Sequence, residues 1–414
     1  MTSVRENDEL DPDSLSEAHS WWSQLRRLWQ GDVGMVPIVI GLAALVAYFQ
    51  VRSPVFLSAG NITNLFMQAT IFVLLGMAEI WLLLLGEIDL SVGYVTGMGA
   101  AVAVILMDVQ FHWPWFLAMP VALLVTTGIT TLQGFIIIRL RLPSFIVTLA
   151  GLLFWEGMLI YLVDDQGTGG TIPATNRVLY NLVNGNLSVF FTWVFLVAIV
   201  VLMALGMFRA DQRRRSSGLA TRPRIVLIMK VAALAISGVA LAMIFDADRG
   251  TFIVLRGMPW AIPIDFAILA AGSFVLTKTK AGRYIYAIGG NTEAARRAGI
   301  AVNRYRLLAF ALTGLTTGVA SLLYASRLGG ISDNIDSSLV LYAVASAVIG
   351  GTSLFGGRGK MTHAVIGGVV IATIYNGMAL IGMSAPTQYM ATALVLLAAV
   401  TIDSLARRST GEGR

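Results

Sequence analysis

Two acidic side chains stand in an otherwise apolar stretch and are the residues best placed to do chemistry. Glu87 and Asp89 lie two positions apart in the Gly-rich segment 86–93, which follows a long apolar run. A charged group at membrane depth costs about 2.5–3.5 kcal/mol, so we expect it to face water, pair with a cation or cap a helix. Asp89 could cap a helix over residues 90–108 by accepting a hydrogen bond from the Ser91 or the Val92 amide. Contact with a permeating solute and a proton relay are the functional alternatives.

A second Gly-rich break, residues 350–357, resembles the first. Glycines, small acceptor-bearing side chains (here Thr352 and Ser353) and a leucine recur at matching places. Corresponding interrupted segments in two halves of a chain point to the binding region of a transporter. Chance recurrence is the alternative, because glycine is common in membrane helices. The even number of predicted spans between the two breaks would make the copies parallel.

Asn376 is a polar side chain in the middle of the apolar stretch 361–382. A buried amide is costly without a partner, so it is expected either to face a water-filled passage or to bond to another helix. The side chains predicted to line a substrate pathway are therefore Glu87, Asp89, Ser91, Thr352, Ser353 and Asn376.

The composition fixes the kind of structure that positions these residues. The 414 residues are 57% hydrophobic and 13% charged, with a mean hydropathy of +0.77, which is too apolar for a soluble protein. The sequence predicts an all-α polytopic membrane protein with about 10–12 transmembrane helices, some of them broken or re-entrant at glycines. The candidate spans are 33–51, 64–86, 90–108, 115–138, 144–163, 189–208, 225–245, 257–277, 305–325, 340–355, 361–382 and 386–404.

The basic residues predict how the chain is oriented. The net charge is +6, and the Lys and Arg residues collect in every second connection between predicted spans. This pattern is typical of cytoplasmic loops in a membrane protein and indicates orientation rather than nucleic-acid binding. Both termini are then cytoplasmic. Residues 1–32 are predicted to be a cytoplasmic tail with an interfacial helix, residues 33–404 the transmembrane domain, and residues 405–414 a second cytoplasmic tail. The absence of Cys and the three scattered His predict no disulfide and no metal site.

The longest basic connection, residues 277–306, has the features of a short helix outside the membrane. Asn291 or Thr292 could cap it and Gly299 could end it. Such a helix would suit contact with a cytoplasmic partner, and an ordinary solvated turn is the alternative.

The sequence supports no catalytic role for this chain. Gly359 and Lys360 are followed by Met361 where a phosphate-binding loop requires Ser or Thr, and Leu354 stands in place of its leading Gly. No combination of nucleophile, base and orienting group emerges either. The chain is therefore predicted to be neither an ATPase nor any other enzyme and to bind no cofactor.

Several motifs, in order over residues 33–404, resemble the sugar permeases of bacterial ABC importers, the ribose/xylose/arabinose/galactose family. They are Glu-Ile-Asp-Leu-Ser-Val-Gly at 87–93, Pro-Ser-Phe-Ile-Val-Thr-Leu-Ala-Gly at 143–151, Glu293-Ala294-Ala295, Ser326-Arg327-Leu328, Val-Ile-Gly-Gly-Thr-Ser-Leu at 348–354 and Asn376-Gly377-Met378. Glu87 and the extra stretch at about 209–256 resemble the D-xylose branch most. Lys360 and His363 depart from the small residues usual in the family.

The resemblance implies a permease dimer in the inner membrane, a partner ABC ATPase that uses ATP and Mg, and a periplasmic sugar-binding protein. It implies that the connection contacts the ATPase through Asn291, Glu293, Ala294, Ala295, Arg296, Arg297 and Gly299. A pentose such as xylose is the expected substrate. A proton-coupled secondary sugar transporter, an ABC permease for another small solute and a membrane-embedded structural or receptor subunit are the alternatives.

Overall fold

The computed structural model describes residues 36–109, 111–166, 169–218, 224–250, 254–394, 397 and 401. These residues form helices almost throughout. The helices are α1 (Val36–Arg52), α2 (Ala59–Leu83), α3 (Val92–Val104), α4 (Trp115–Leu140), α5 (Ser144–Asp164), α6 (Arg177–Asn184), α7 (Val189–Ser216), α8 (Arg224–Asp246), α9 (Ala261–Lys278), α10 (Lys280–Gly290), α11 (Thr292–Arg297), α12 (Val302–Leu328), α13 (Leu339–Ile349) and α14 (Met361–Leu380).

The described helices confirm an all-α polytopic membrane protein. Eight of them are long and apolar enough to cross a membrane, and α1, α3 and α13 are shorter apolar helices. A π-helical turn, Ile105–Val109, continues α3, and residues 385–394 are also helical. Two short strands, β1 (Thr171–Pro173) and β2 (Gly330–Ser332), pair antiparallel.

Local sequence explains where several of these helices begin and end. Ser58 caps α2, where its Oγ accepts from the Asn61 amide at 3.3 Å, and Thr279 caps α10 in the same way. The preference of Ser and Thr for this position follows from the unpaired amides of the first turn. Pro143 precedes α5, and Arg141 ends α4 with a left-handed backbone, φ 56°.

Helix α2 is the centre of the core. In the most apolar 18-residue stretch of α2, 83% of the residues are buried. The same share is 11% in α7 and 6% in α8. Helices α12, α13 and α14 all pack against α2, whereas α7 and α8 pack mainly on each other. The pair α7–α8 therefore lies at the periphery, with apolar faces of the kind that a lipid environment covers.

The structure corrects three details of the predicted elements. The helix predicted over 340–355 ends at Ile349, and the helix predicted to begin at residue 90 begins at Val92, so Ser91 rather than Asp89 precedes it. The connection 277–306 contains two helices instead of one. The predicted interfacial helix before residue 33 and the C-terminal tail lie outside the described residues.

Candidate functional site

The two Gly-rich breaks contact each other at one end of the helix bundle. The Gly357 amide donates to the Leu84 carbonyl at 2.9 Å. Gly86 and Gly356 both have left-handed backbones, with φ of 75° and 88°, and a Cβ on Gly356 would lie 3.0 Å from the Gly86 nitrogen. Such close backbone contact at positive φ needs glycine. The two segments that the sequence pairs as copies are thus neighbours in space.

Asp89 is held by the turn in which it lies. The residue is fully buried, and its Oδ1 accepts from the Ser91 amide at 2.8 Å and from Ser91 Oγ at 2.6 Å. Ser91 Oγ also lies 3.1 Å from Oε1 of Gln133 on α4. The carboxylate therefore bonds to the Ser91 amide, as the sequence predicts, and connects the break to α4 through Ser91.

Two members of this polar cluster, Glu79 and Gln133, were not predicted from the sequence. Glu79 is fully buried, and its Oε2 accepts from the Asp89 amide at 3.5 Å. Three buried polar atoms here lack a partner in the described part of the chain: Glu79 Oε1, Asp89 Oδ2 and Gln133 Nε2. The signal that singled out Glu87, an acid in an apolar run, applies equally to Glu79.

Glu87 pairs with a cation from a distant helix. Arg306 Nε, near the start of α12, donates to Glu87 Oε1 at 2.5 Å. Burial raises the pKa of the Glu87 carboxyl, and the Arg306 guanidinium opposes that rise. The ion pair ties the first break to the helix that follows the basic connection.

The second break turns its two predicted side chains inward. Thr352 and Ser353 are buried, with Thr352 Oγ1 lying 3.2 Å from Nδ1 of His363. Ser353 Oγ accepts from the Phe355 amide at 3.2 Å. Their hydroxyls therefore contact residues of the turn and of α14 in this conformation, and their place in a pathway stays a prediction.

Asn376 does not join the breaks. Its Oδ1 accepts from Nδ2 of Asn61 at 2.9 Å, near the opposite end of α2. Fifteen residues of helix separate it from the start of α14, a distance of about 22 Å at 1.5 Å per residue. The bond to Asn61 supports the packing alternative, and the pathway role of Asn376 stays a prediction.

The basic connection folds as the helix pair α10–α11. Asn291 caps α11 through its Oδ1, which accepts from the Ala294 amide at 2.9 Å, and Gly299 follows with φ 82°. The sequence predicts the end at Gly299 and a cap at either Asn291 or Thr292, of which the structure shows Asn291. In α11, Glu293 and Arg296 are exposed and bond to each other at 2.6 Å. Arg297 is also exposed, whereas Ala295 is buried beneath the helix.

Helix α10 packs on both breaks through one glycine. A Cβ on Gly289 would lie 1.7 Å from the Leu84 oxygen and 2.7 Å from the Gly357 nitrogen. Tyr286 adds a hydrogen bond from its hydroxyl to the Gly359 carbonyl at 2.7 Å. The exposed helix pair, the two breaks and the Glu87–Arg306 ion pair therefore form one contiguous assembly. Among the residues that the structure covers, no group of His, Asp and Glu side chains could hold a metal ion.

Known permease proteins are similar to this chain over nearly its whole length. A family profile described as "Branched-chain amino acid transport system / permease component" matches residues 61–211 and 217–400. The xylose transport system permease protein of Escherichia coli (strain K12) is 34% identical over 90% of this chain and 92% of its own length. Its counterpart in Haemophilus influenzae is 32% identical over 89% and 95%, and a ribose import permease from the same organism is 29% identical over 88% and 91%. No solved structure matches. The chain belongs to the branched-chain amino acid transport system / permease component family.

Proposed function

We propose that this chain is the membrane-spanning permease subunit of an ABC importer that moves a monosaccharide, a pentose of the xylose type, into a bacterial cytoplasm. The names of the relatives at 32–34% identity support the substrate class. In this proposal two copies of the chain lie in the inner membrane with their termini in the cytoplasm. A partner ATPase uses ATP and Mg, and a periplasmic binding protein delivers the sugar.

The observation that carries the proposal is the contact of α10 with both breaks at Gly289. Helices α10 and α11 are not among the long apolar helices. An ATPase docked on α11 would therefore push on α10, the preceding helix, which contacts Leu84 and Gly357 through Gly289. The passage of energy from the partner to the breaks then needs no long path through the membrane. The exposed Glu293, Arg296 and Arg297 supply charges of both signs for the partner surface.

A proton-coupled secondary transporter is the second candidate. The buried carboxyls of Glu79 and Asp89, each with one oxygen that lacks a partner among the described residues, favour it. Buried acids of this kind occur in proton relays. That mechanism leaves the exposed α10–α11 pair without a role.

Reconstitution of the chain in liposomes with its ATPase and binding protein separates these functions. Binding protein loaded with xylose should stimulate ATP hydrolysis and sugar uptake together, with ribose, allose and leucine as comparison solutes. Uptake that persists without the ATPase would replace the proposal with the proton-coupled transporter. Stimulation by leucine alone would show an ABC permease for another solute.

A further inference from the structure

The basic end of the α7–α8 pair carries positive charge that the described protein does not neutralise. Between positions 209 and 230 the described residues include six cations and one acid, Asp211, which already pairs with Arg215 at 2.7 Å. No ion pair or side-chain hydrogen bond within the described residues engages the other five cations. The five are Arg209, Arg213, Arg214, Arg224 and Lys230, and all of them are exposed. The charge pattern predicts that this end is cytoplasmic.

The opposite end of the pair is the end that the protein holds. The buried residues of the two helices all lie toward it: Thr192, Leu196, Ala242 and Phe245. They come from the start of α7 and the end of α8, so the helices run antiparallel. Arg249 fastens the same end, because its guanidinium donates to Thr63 Oγ1 of α2 at 3.1 Å and to the Gly257 carbonyl at 2.7 Å. The described residues of the basic half include none that is buried, so lipid can reach that half from the sides.

One close contact fixes the register of the two helices. A Cβ on Gly238 of α8 would lie 2.7 Å from Val200 Cγ2 of α7. Fourteen residues farther toward the basic end, α7 has Arg214 and α8 has Arg224. Both lie about 21 Å from the contact, and at 3.6 residues per turn each is rotated only about 40° from the line of contact. Two unpaired cations therefore lie at one level beside the seam between the helices, and their mutual repulsion favours an anion there.

Lys230 supplies a further charge from a different depth. The same register places it opposite Phe208, the last residue of the uncharged run 189–208. A run of this length crosses a hydrocarbon core of about 30 Å, so Lys230 lies at the edge of that core. An exposed Lys on a lipid-facing helix directs its ammonium outward, toward the headgroups.

Arg213 and Arg214 approach the same layer from the other side. They lie about 7–9 Å farther out than Lys230, at 1.5 Å per residue, and helical geometry puts all three on one flank of the seam. The headgroup layer on each side of a bilayer is about 5–7 Å thick. A lipid phosphate would therefore lie between the Lys230 ammonium and the two guanidinium groups.

The excess of cations selects the kind of lipid. Clusters of about four to eight Lys and Arg at the cytoplasmic end of a span are typical of proteins that bind anionic phospholipids. A zwitterionic headgroup brings a cation of its own, which this unneutralised end of the pair would repel.

We propose that the basic end of the α7–α8 pair binds the phosphate of an anionic phospholipid, with Lys230 contacting it from the hydrocarbon edge and Arg213 and Arg214 from the headgroup side. The bound lipid would hold the half of the pair that the described protein leaves unfastened. This inference goes beyond the proposed function and does not depend on the transported solute or on the ATPase.

Quenching by spin-labelled lipids tests the site, because the chain contains no natural Cys to compete with an introduced one. Met229→Cys, beside Lys230, carries a bimane fluorophore. Met243→Cys, toward the held end of the same helix, is the matched control, since the two side chains are 64% and 61% exposed. The full chain is reconstituted in phosphatidylcholine vesicles with increasing shares of phosphatidylglycerol or phosphatidylcholine that carry a nitroxide near the top of one acyl chain.

We expect half-quenching at Met229→Cys to need at least about fivefold less labelled phosphatidylglycerol than labelled phosphatidylcholine, with no such preference at Met243→Cys. Lys230→Gln should lower the preference about fivefold, and the double variant Arg213→Gln with Arg214→Gln should lower it at least as much. Lys280→Gln, which removes an exposed cation at the start of α10, should leave the preference unchanged.

Equal quenching by the two lipids at Met229→Cys would overturn the site. A preference that survives both Lys230→Gln and the double Arg variant would reflect a general attraction to a basic protein and would also overturn it; one of these variants is enough if the other does not reconstitute. Loss of the preference in inorganic phosphate, but not in sodium chloride of equal ionic strength, would indicate a site for free phosphate instead of lipid. Loss on addition of the ATPase would assign the cations to an acidic protein surface and contradict the lipid site.

Discussion

At the scale of single residues, the two carboxylate oxygens of Asp89 differ in their partners. Oδ1 is occupied by Ser91, whereas Oδ2 is buried without a partner among the described residues. A buried oxygen with no partner is costly, so such groups commonly have a role that outweighs the cost. The first oxygen holds the turn before α3, and the second is the oxygen that the predicted solute contact or proton relay would use.

We predict that Asp89→Asn assembles normally and still transports, at a reduced rate and with its ATP dependence intact. An Asn side chain keeps an oxygen that can accept from the Ser91 amide, while the charge is lost. Sugar uptake and ATP hydrolysis in liposomes measure this. Asp89→Ala, which removes both bonds to Ser91, should weaken assembly at a cost of about 1 kcal/mol for each bond. Complete loss of uptake in a well-assembled Asp89→Asn complex would favour the proton relay.

At the scale of helices and turns, the Glu87–Arg306 ion pair holds the first break to the start of α12. The two side chains are 219 positions apart in the chain and both are largely shielded from solvent. Removal of one side chain leaves the other as an unpaired, partly buried charge. An unpaired charge costs a few kcal/mol of stability when it is fully buried, and less at this partly exposed pair.

Charge reversal tests this connection. We predict that Glu87→Arg and Arg306→Glu each reduce uptake strongly, because like charges would then face each other across the contact. The double variant should recover part of the uptake, because it restores opposite charges. Uptake and assembled complex are both quantified for the four proteins. A double variant no better than the worse single variant would show that the pair does not act as a unit.

Adjacent glycines of α10 provide a matched test of its packing on the breaks. A Cβ on Gly289 would overlap the Leu84 oxygen, whereas a Cβ on Gly290 meets nothing within 4 Å. Both residues lie in a helix, where Ala is favoured over Gly. We predict that Gly289→Ala abolishes uptake or assembly and that Gly290→Ala keeps both, as measured by transport and by thermal stability of the purified protein. Equal behaviour of the two variants would contradict the close contact.

The helices were predictable and their meeting points were not. Long apolar windows bounded by Pro143, Arg141 or capping Ser and Thr mark helices locally, and the predicted spans overlap observed helices, with corrected ends at 90–108 and 340–355. Residue type alone narrows the cap of α11 to Asn291 or Thr292, and the structure shows Asn291. By contrast, the contacts of Gly289 with Leu84 and Gly357 join three distant segments, which no local pattern specifies. Gln133 was missed because it looks isolated until the turn at Asp89 brings it into the cluster, whereas Glu79 carries the same signal as Glu87, an acid in an apolar run.

At the scale of the whole molecule, the proposed contact with the ATPase lies on the exposed face of α11. Glu293 and Arg296 form an i,i+3 ion pair with both side chains more than half exposed. Such surface pairs contribute about 0–1 kcal/mol to stability, so a change here should act on a partner far more than on folding.

We predict that Glu293→Lys leaves the chain in the membrane with unchanged thermal stability but uncouples sugar uptake from ATP hydrolysis. The substitution places three basic residues on α11, where the proposed ATPase contact requires both signs of charge. Asp211→Lys is the control, since it reverses an acid in another helical ion pair, the less exposed i,i+4 pair with Arg215 at the end of α7, away from α11 in the chain. Uptake and binding-protein-stimulated hydrolysis are compared in the same liposomes. If Glu293→Lys and Asp211→Lys both behave as the unmodified protein, α11 is a solvated turn and the energy of ATP hydrolysis enters elsewhere. If both variants fail, the loss is a general effect of charge, and the specific role of α11 is contradicted. Loss of coupling in Glu293→Lys alone would place the ATPase on α11 and make the Gly289 contact the first step by which its movement reaches the breaks.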